Sequence, residues 1–191
     1  MRLLGIIIFI LHLLLLPPGL VQAETLFLNQ VRTELYFSPK GGAEAAIVQA
    51  INQARRELCV LAYSFTSLPI NAALEAAYQR KLRVIVILDR SQLAARGSKL
   101  RNLQEAGLPV FIDSTHAIAH NKVMIIDKRR IITGSFNFTR AAEERNAENL
   151  LIMDNKALSK RYMQDFERHL EHASPAPLEM PEEAPEKSLA P

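Results

Sequence analysis

The 191-residue sequence contains a single cysteine, Cys59. No internal disulfide can form, and zinc sites built on two or four cysteines are excluded. Cys59 lies in the apolar run Leu58-Cys59-Val60-Leu61-Ala62, where a buried core thiol is expected, with an intermolecular disulfide as the alternative. Glycines are also few, seven in all, and none is arranged to hold a nucleotide. Gly41-Gly42 lacks the spacing of a dinucleotide fingerprint, and Gly97-Ser98-Lys99 is not a P-loop. From Ser174 onward there is no aromatic residue, and Pro, Glu and Ala dominate. Such a segment buries too little apolar area to offset its ordering entropy, so 174–191 is predicted to be a disordered tail.

What remains is ample for a core, since 49% of the residues are hydrophobic. The N-terminus has the layout of a secretory signal peptide. Arg2 is a short basic start, and 3–16 is apolar apart from Gly5 and His12. Pro17-Pro18-Gly19 breaks a helix, and Val21-Gln22-Ala23 supplies small residues for cleavage after Ala23. The alternative is an uncleaved anchor, but the run is shorter than the ~20 residues that span a bilayer. No cysteine follows it to carry a lipid. The expected layout is a signal peptide over 1–23, one domain over 24–173 and the tail. The product is expected to be secreted, or periplasmic in a Gram-negative cell, without a stable membrane anchor. Of 23 basic and 20 acidic residues, Arg2, Lys187 and four tail glutamates fall outside the domain, which leaves it at +5. A mildly basic domain admits nucleic acid or an anionic membrane surface as partner.

Along the domain, strand and helix patterns alternate. Strands are predicted over 33–37, 58–65, 83–89, 109–113, 123–126, 130–134 and 148–153. Amphipathic helices are predicted over 43–57, 69–80 and 157–171, the last with Leu158, Tyr162, Phe166 and Leu170 as its stripe. Residues 91–106 hold one broken helix or two short ones. This alternation predicts an α/β/α sandwich around a mixed, mostly parallel sheet, antiparallel in part over 120–153.

One stretch is out of place. His120-Asn121-Lys122-Val123-Met124-Ile125-Ile126-Asp127 combines an apolar strand with a His and a Lys at its mouth. Polar groups are costly to bury without partners. Period-two alternation puts His120 and Lys122 on one side, where imidazole and ammonium suit a phosphate-like anion. Asp127 has the opposite parity. Gly134-Ser135-Phe136-Asn137 follows, and Asn146, Glu148 and Asn149 lie downstream.

Written as H-x-K-x4-D-x6-G-S-x-N, this arrangement resembles the phospholipase D superfamily. The runs Leu61-Ala62-Tyr63-Ser64-Phe65-Thr66-Ser67 and Arg145-Asn146-Ala147-Glu148-Asn149 are similar to those of its short bacterial Nuc-type endonucleases. The likeness covers about 30–172. It implies that His120 is a nucleophile forming a phosphohistidine and that Lys122 binds the non-bridging oxygens. Asn137 would donate to the phosphate, Ser135 would position the site, and Glu148 would orient His120. Asp127 and Gly134 are expected to be structural. No cofactor and no metal is implied. Two-step chemistry needs two histidines, and the chain carries one H-x-K, so a homodimer sharing the site is expected.

The expected function is that of a metal-independent, non-specific endonuclease on DNA, with RNA left open. A phospholipase D or cardiolipin-type lipid hydrolase is the alternative, and a nucleic-acid-binding module with a vestigial site is a third reading. Lys128-Arg129-Arg130 is expected to be a solvated hairpin turn, or a phosphate-backbone contact. His116, just before the signature, is a candidate substrate contact. His169 and His172 are expected at the surface of the last helix.

Overall fold

The computed structural model describes residues 25, 26 and 28–178. The expected signal peptide and residues 179–191 of the tail lie outside them. The strands are β1 (Thr33–Ser38), β2 (Glu57–Ala62), β3 (Arg83–Asp89), β4 (Val110–Asp113), β5 (Lys122–Ile126), β6 (Arg130–Gly134), β7 (Glu148–Asp154) and β8 (Ser174–Pro175). The helices are α1 (Ala43–Asn52), α2 (Leu68–Gln79), α3 (Leu100–Glu105), α4 (Arg140–Glu144) and α5 (Lys156–His172), with a 3-10 turn at Arg90–Leu93.

All eight strands form one mixed sheet in the order β1-β7-β6-β5-β2-β3-β4-β8. The expected α/β architecture is therefore present, but the balance of pairing differs. Only β2–β3 and β3–β4 are parallel; the other five pairs are antiparallel. The reason lies in the connections. Parallel neighbours need a crossover, which α2 and α3 supply, whereas the tight turn after β5 can join only antiparallel strands. The crossover through α1 does not add a parallel pair, because β1 lands at the far edge beside β7.

Each face of the sheet carries its own core. Even-numbered positions of β2 and β5, such as Leu58, Val60, Met124 and Ile126, pack with α1, α2 and α3 residues including Ile47, Ile51, Leu74 and Leu103. Odd-numbered Cys59, Leu61, Val123 and Ile125 pack beneath Met163 and Phe166 of α5. Cys59 is fully buried, and burial pushes its thiol pKa up to about 11. It is a core thiol, inaccessible to a second chain.

Several boundaries moved, among them the end of β2, at Ala62 and not 65, and three shifts have clear local reasons. The first helix stops at Asn52, not 57, because the Asp127 carboxylate takes the N–H groups of Arg55, Arg56 and Glu57 at 3.0, 2.7 and 3.1 Å. The second begins one residue early, where the Ser67 hydroxyl caps Ile70 N at 3.2 Å. Residues 174–176, predicted to lie in the disordered tail, are structured. Ser174–Pro175 adds an edge strand to β4, Ala176 N donates to Val110 O at 2.9 Å, and the Ala176 side chain is buried. Short apolar contacts and a free strand edge thus hold residues whose composition alone suggested disorder.

Across β6 and β7, Arg130 grips Asp154 with two hydrogen bonds of 2.7 and 3.1 Å. The guanidinium holds the Asp154 pKa below the usual carboxylate range, against the opposing effect of burial. Asp154→Asn is expected to cost about 2 kcal/mol at neutral pH. A depressed carboxylate contributes above its unfolded pKa, near 3.9, and loses that contribution as pH falls through the folded value. Urea midpoints of the two proteins should therefore converge as the pH drops from about 4 towards 2. A gap that stays constant across that range would refute the linkage.

Candidate active site

The signature residues gather at one end of the sheet, where β2 and β6 finish and β5 and β7 begin. The register sets this directly. Ala62 of β2 lies beside Lys122 of β5, Val123 beside Thr133 of β6, and Gly134 beside Leu150 of β7. Lys122, Gly134 and Glu148 share the parity of Met124, Ile132 and Leu150, so they belong to the α1–α2 side of the sheet.

Lys122 is 6% exposed, unusually low for its type. Its ammonium donates to the carbonyl of His120 at 3.0 Å and lies 5.1 Å from the centroid of the Tyr63 ring. Burial lowers its pKa, and the charge of Glu148 partly offsets that. An ammonium with three protons and one protein acceptor is equipped to take phosphoryl oxygens. His120 precedes β5 and is exposed. Its ring packs against Tyr63 at 4.5 Å between centroids. The loop before it is anchored by Asp89, whose carboxylate accepts Ala119 N at 2.7 Å and Ser91 N at 2.9 Å. Burial would raise the Asp89 pKa, but these bonds outweigh it and the net shift is downward. A carboxylate held ionised in this way pins the approach to His120.

Ser135 and Asn137 come from the bend after β6. The Ser135 hydroxyl accepts Asn149 N at 3.0 Å and Asn149 Nδ2 at 3.3 Å, which leaves its own proton to donate elsewhere. Asn137 Oδ1 is buried with no protein partner. The bend is held by Phe138, whose carbonyl accepts Thr66 N and Ser67 N, both at 3.0 Å. Its ring meets Phe65 edge-on at 6.4 Å.

Glu148 opens β7 and accepts from Asn146 Nδ2 at 3.1 Å. Among the described residues it forms no hydrogen bond with His120. His120 precedes β5 and Glu148 opens β7, with β6 between these strands, which strand spacing sets about 10 Å apart. Asp127 sits at the opposite end of β5, where its carboxylate ties down 55–57 and its φ is 54°. There a large cleft is lined by Arg55, Arg56, Lys128, Arg129, Arg130 and Lys156. The basic turn after β5 therefore faces away from the signature, one strand length from His120.

The site residue that sequence reasoning passed over is Tyr63. It appeared only within a run similar to the Nuc-type proteins, and no periodicity marks it. Its position, touching both His120 and Lys122, depends on β2 and β5 lying side by side.

Three comparisons bear on identity. Residues 47–170 match the family model described as "Cardiolipin synthase, PLD-like domain". The chain is 41% identical over 150 residues to a phospholipase D of Rickettsia bellii, covering 78% of this chain and 75% of that one. It is 33% identical over 167 residues to human mitochondrial cardiolipin hydrolase, covering 83% and 66%. Among solved structures, Nuc from Salmonella typhimurium, a phospholipase D family member, matches with a TM-score of 0.74 and 31% identity over 77% of this chain and 99% of that chain. NucT from Helicobacter pylori, at 23% identity and a TM-score of 0.71, supports the fold. With the H-x-K pair, the Gly-Ser-x-Asn bend and Glu148 assembled at one sheet end, the chain belongs to the phospholipase D superfamily of phosphodiesterases, as a single-motif member of the Nuc type.

Proposed function

We propose that this protein is a secreted endonuclease that hydrolyses DNA without sequence preference, through a phosphohistidine formed at a site shared by two copies of the chain. The observation that supports it best is a single exposed His120 beside one buried Lys122, on a domain of net +5. The lysine supplies charge for the phosphoryl oxygens without a metal. Ser135 and Asn137 add hydrogen-bond donors.

The chemistry needs two imidazoles. A neutral His120 nitrogen attacks phosphorus, and the N–P bond forms as the ester P–O bond breaks. The leaving oxygen takes a proton from the imidazolium of His120 of the partner subunit. That ring, now neutral, removes a proton from water. The water oxygen attacks phosphorus, the N–P bond breaks, and the first His120 is free again. Glu148 does not hydrogen-bond His120 within one chain among the described residues; in this scheme its charge, which acts on Lys122, favours the cationic form of the imidazole at the same end of the sheet. Phe37, 63% exposed at the end of β1, and Ile118, 57% exposed two residues before His120, give this end of the molecule apolar surface suited to a second copy.

A lipid phosphodiester is the second reading, favoured by relatives named phospholipase D and cardiolipin hydrolase. Among the described residues no helix is long and apolar enough to cross a membrane. One assay separates the two. The purified protein is incubated in EDTA, well below its unfolding temperature, with plasmid DNA, RNA, phosphatidylcholine or cardiolipin. Nicking of plasmid is the expected result. Release of choline or phosphatidic acid with intact plasmid would replace the nuclease reading with the lipase one. Loss of all activity in EDTA would overturn metal-free chemistry.

A further inference from the structure

Asp113 ends β4 with its carboxylate fully buried, and three histidines converge on it. His169 Nδ1 lies 2.6 Å from Asp113 Oδ2. His116 Nδ1 lies 2.9 Å from Oδ2 and 3.2 Å from Oδ1, and His172 Nε2 lies 3.2 Å from Oδ2. The ring centroids are 4.8, 5.1 and 5.5 Å apart, so the imidazoles surround one point. All four donor atoms fall within 4.8 Å of one another. This corrects the expectation for α5. Its most deeply buried residues are Ser159, Met163, Phe166 and His169, with Tyr162 and Leu170 of the expected row half-buried against the same core. A row of fourth residues drifts around a 3.6-residue helix, and the true stripe turns His169 inward and His172 beside it.

We propose that Asp113, His116, His169 and His172 form a binding site for one zinc-class divalent cation. Hydrogen bonding alone accounts poorly for the geometry, because three ring nitrogens point at a single carboxylate oxygen that has two lone pairs. A tetrahedral ion bound at about 2.0–2.1 Å takes one oxygen and three nitrogens. Its donor atoms would stand about 3.3 Å apart, which requires side-chain shifts of about an ångström or less at each ligand. The outer contacts are those that metal ligands use. Asp113 Oδ1 is held by Thr115 N at 3.1 Å and His116 N at 3.4 Å, leaving Oδ2 to face the rings. His169 Nε2 has Asp165 Oδ2 at 3.9 Å behind it. The buried carboxylate is anionic, because the three imidazoles outweigh the upward pull of burial on its pKa. His116 and His172 are 46% and 31% exposed, which gives an ion a way in.

The ion would clamp the end of α5 to the end of β4 and to the loop that leads into His120. The site stands at the same end of the sheet as Lys122 but three strands away, about 14 Å by strand spacing. It supplies nothing to the reacting phosphate. Imidazole-rich donor sets select zinc and its neighbours over magnesium and calcium.

The test uses the full chain, stripped with EDTA and dialysed, then titrated with Zn²⁺ against a chromogenic chelator, with thermal unfolding followed in parallel. One zinc per chain is expected. At a hundredfold excess over Kd the unfolding midpoint should rise by about 5–10 °C, and Mg²⁺ should leave it unchanged. Because His169→Ala opens the core and risks misfolding, the decisive variant is His116→Ala/His172→Ala, whose side chains are part-exposed. It should fold, by circular dichroism, yet bind no stoichiometric zinc and show no shift. His120→Ala should keep its zinc. Absence of saturable binding to the wild type, undiminished binding in the double variant, or loss of the ion in His120→Ala would each overturn the assignment.

Discussion

His120→Ala abolishes phosphodiester cleavage in the expected experiment, lowering turnover by about 10⁴-fold or more while leaving the fold unchanged. The fold is spared because His120 is exposed and lies outside β5, its ring resting against that of Tyr63. In the proposed scheme turnover fails because the side chain is asked to be both the attacking group and, on the partner subunit, the proton donor. Both roles disappear with one substitution. A mixing experiment separates this scheme from catalysis within single chains. When wild type and His120→Ala are unfolded together in equal amounts and refolded, half the dimers are mixed and have one imidazole where two are needed. Activity per wild-type chain should fall to about half. If it stays at the wild-type level while gel filtration shows exchanged dimers, each chain carries a complete site and the shared-site scheme is wrong. Lys122→Ala should resemble His120→Ala in turnover, since its ammonium is seated against the His120 carbonyl and the Tyr63 ring.

Gly134→Ala carries a large expected loss of stability at the signature bend. A Cβ at this position would stand 2.2 Å from Asn149 O and 3.1 Å from Leu150 Cα, both backbone atoms of the neighbouring strand. Backbone in a sheet cannot swing aside as a side chain can, so the strand pair must separate. The cost is expected at about 3 kcal/mol, or about 6–12 °C in the unfolding midpoint for a domain of this size. Function should suffer as well, since Asn149 O accepts Ser135 N at 3.1 Å and Phe136 N at 3.3 Å. Pushing it away moves the bend that carries Ser135 and Asn137. Gly97→Ala is the control. Its φ of 78° also favours glycine, but a Cβ there meets nothing within 4 Å. Its cost should stay near 1 kcal/mol, the conformational part alone. Equal losses for the two variants would show that φ, and not the close approach of β7, dictates glycine at 134.

Much of the architecture was legible because it follows from local periodicity. The apolar run over 83–89 marked β3 to the residue, and Pro69, tolerated in a first turn, marked the start of α2 within one residue. Boundaries failed where a distant group intervened. Residues 53–56 have helical composition, yet Asp127, over seventy positions away, satisfies the N–H groups that a helix would have used. The sheet was misjudged in its proportion of parallel pairs, because pairing partners are chosen by connection length and edge position, which no single segment encodes. The short helix α4 was not anticipated. Its five residues are too few to show a period, and it is held by a Thr139 cap and by Glu143, which accepts the N–H groups of Gly42 and Glu44.

The family signature was readable because it constrains residue type and spacing along one contiguous β-hairpin and the bend after it. His120, Lys122, Ser135 and Asn137 are near neighbours in sequence, so the antiparallel pairing of β5 with β6 brings them together. Tyr63 and the Asp113 cluster were not readable. Tyr63 meets His120 only because β2 pairs with β5. Asp113 meets His169 only because α5 crosses back over the sheet, and the two are separated by 56 positions. The sequence by itself determined the family, its reaction class and the pairing of His120 with Lys122 at the mouth of β5. Tertiary structure alone decided which side chains surround that histidine and where four scattered donors converge, because packing, not spacing, joins residues that are far apart along the chain.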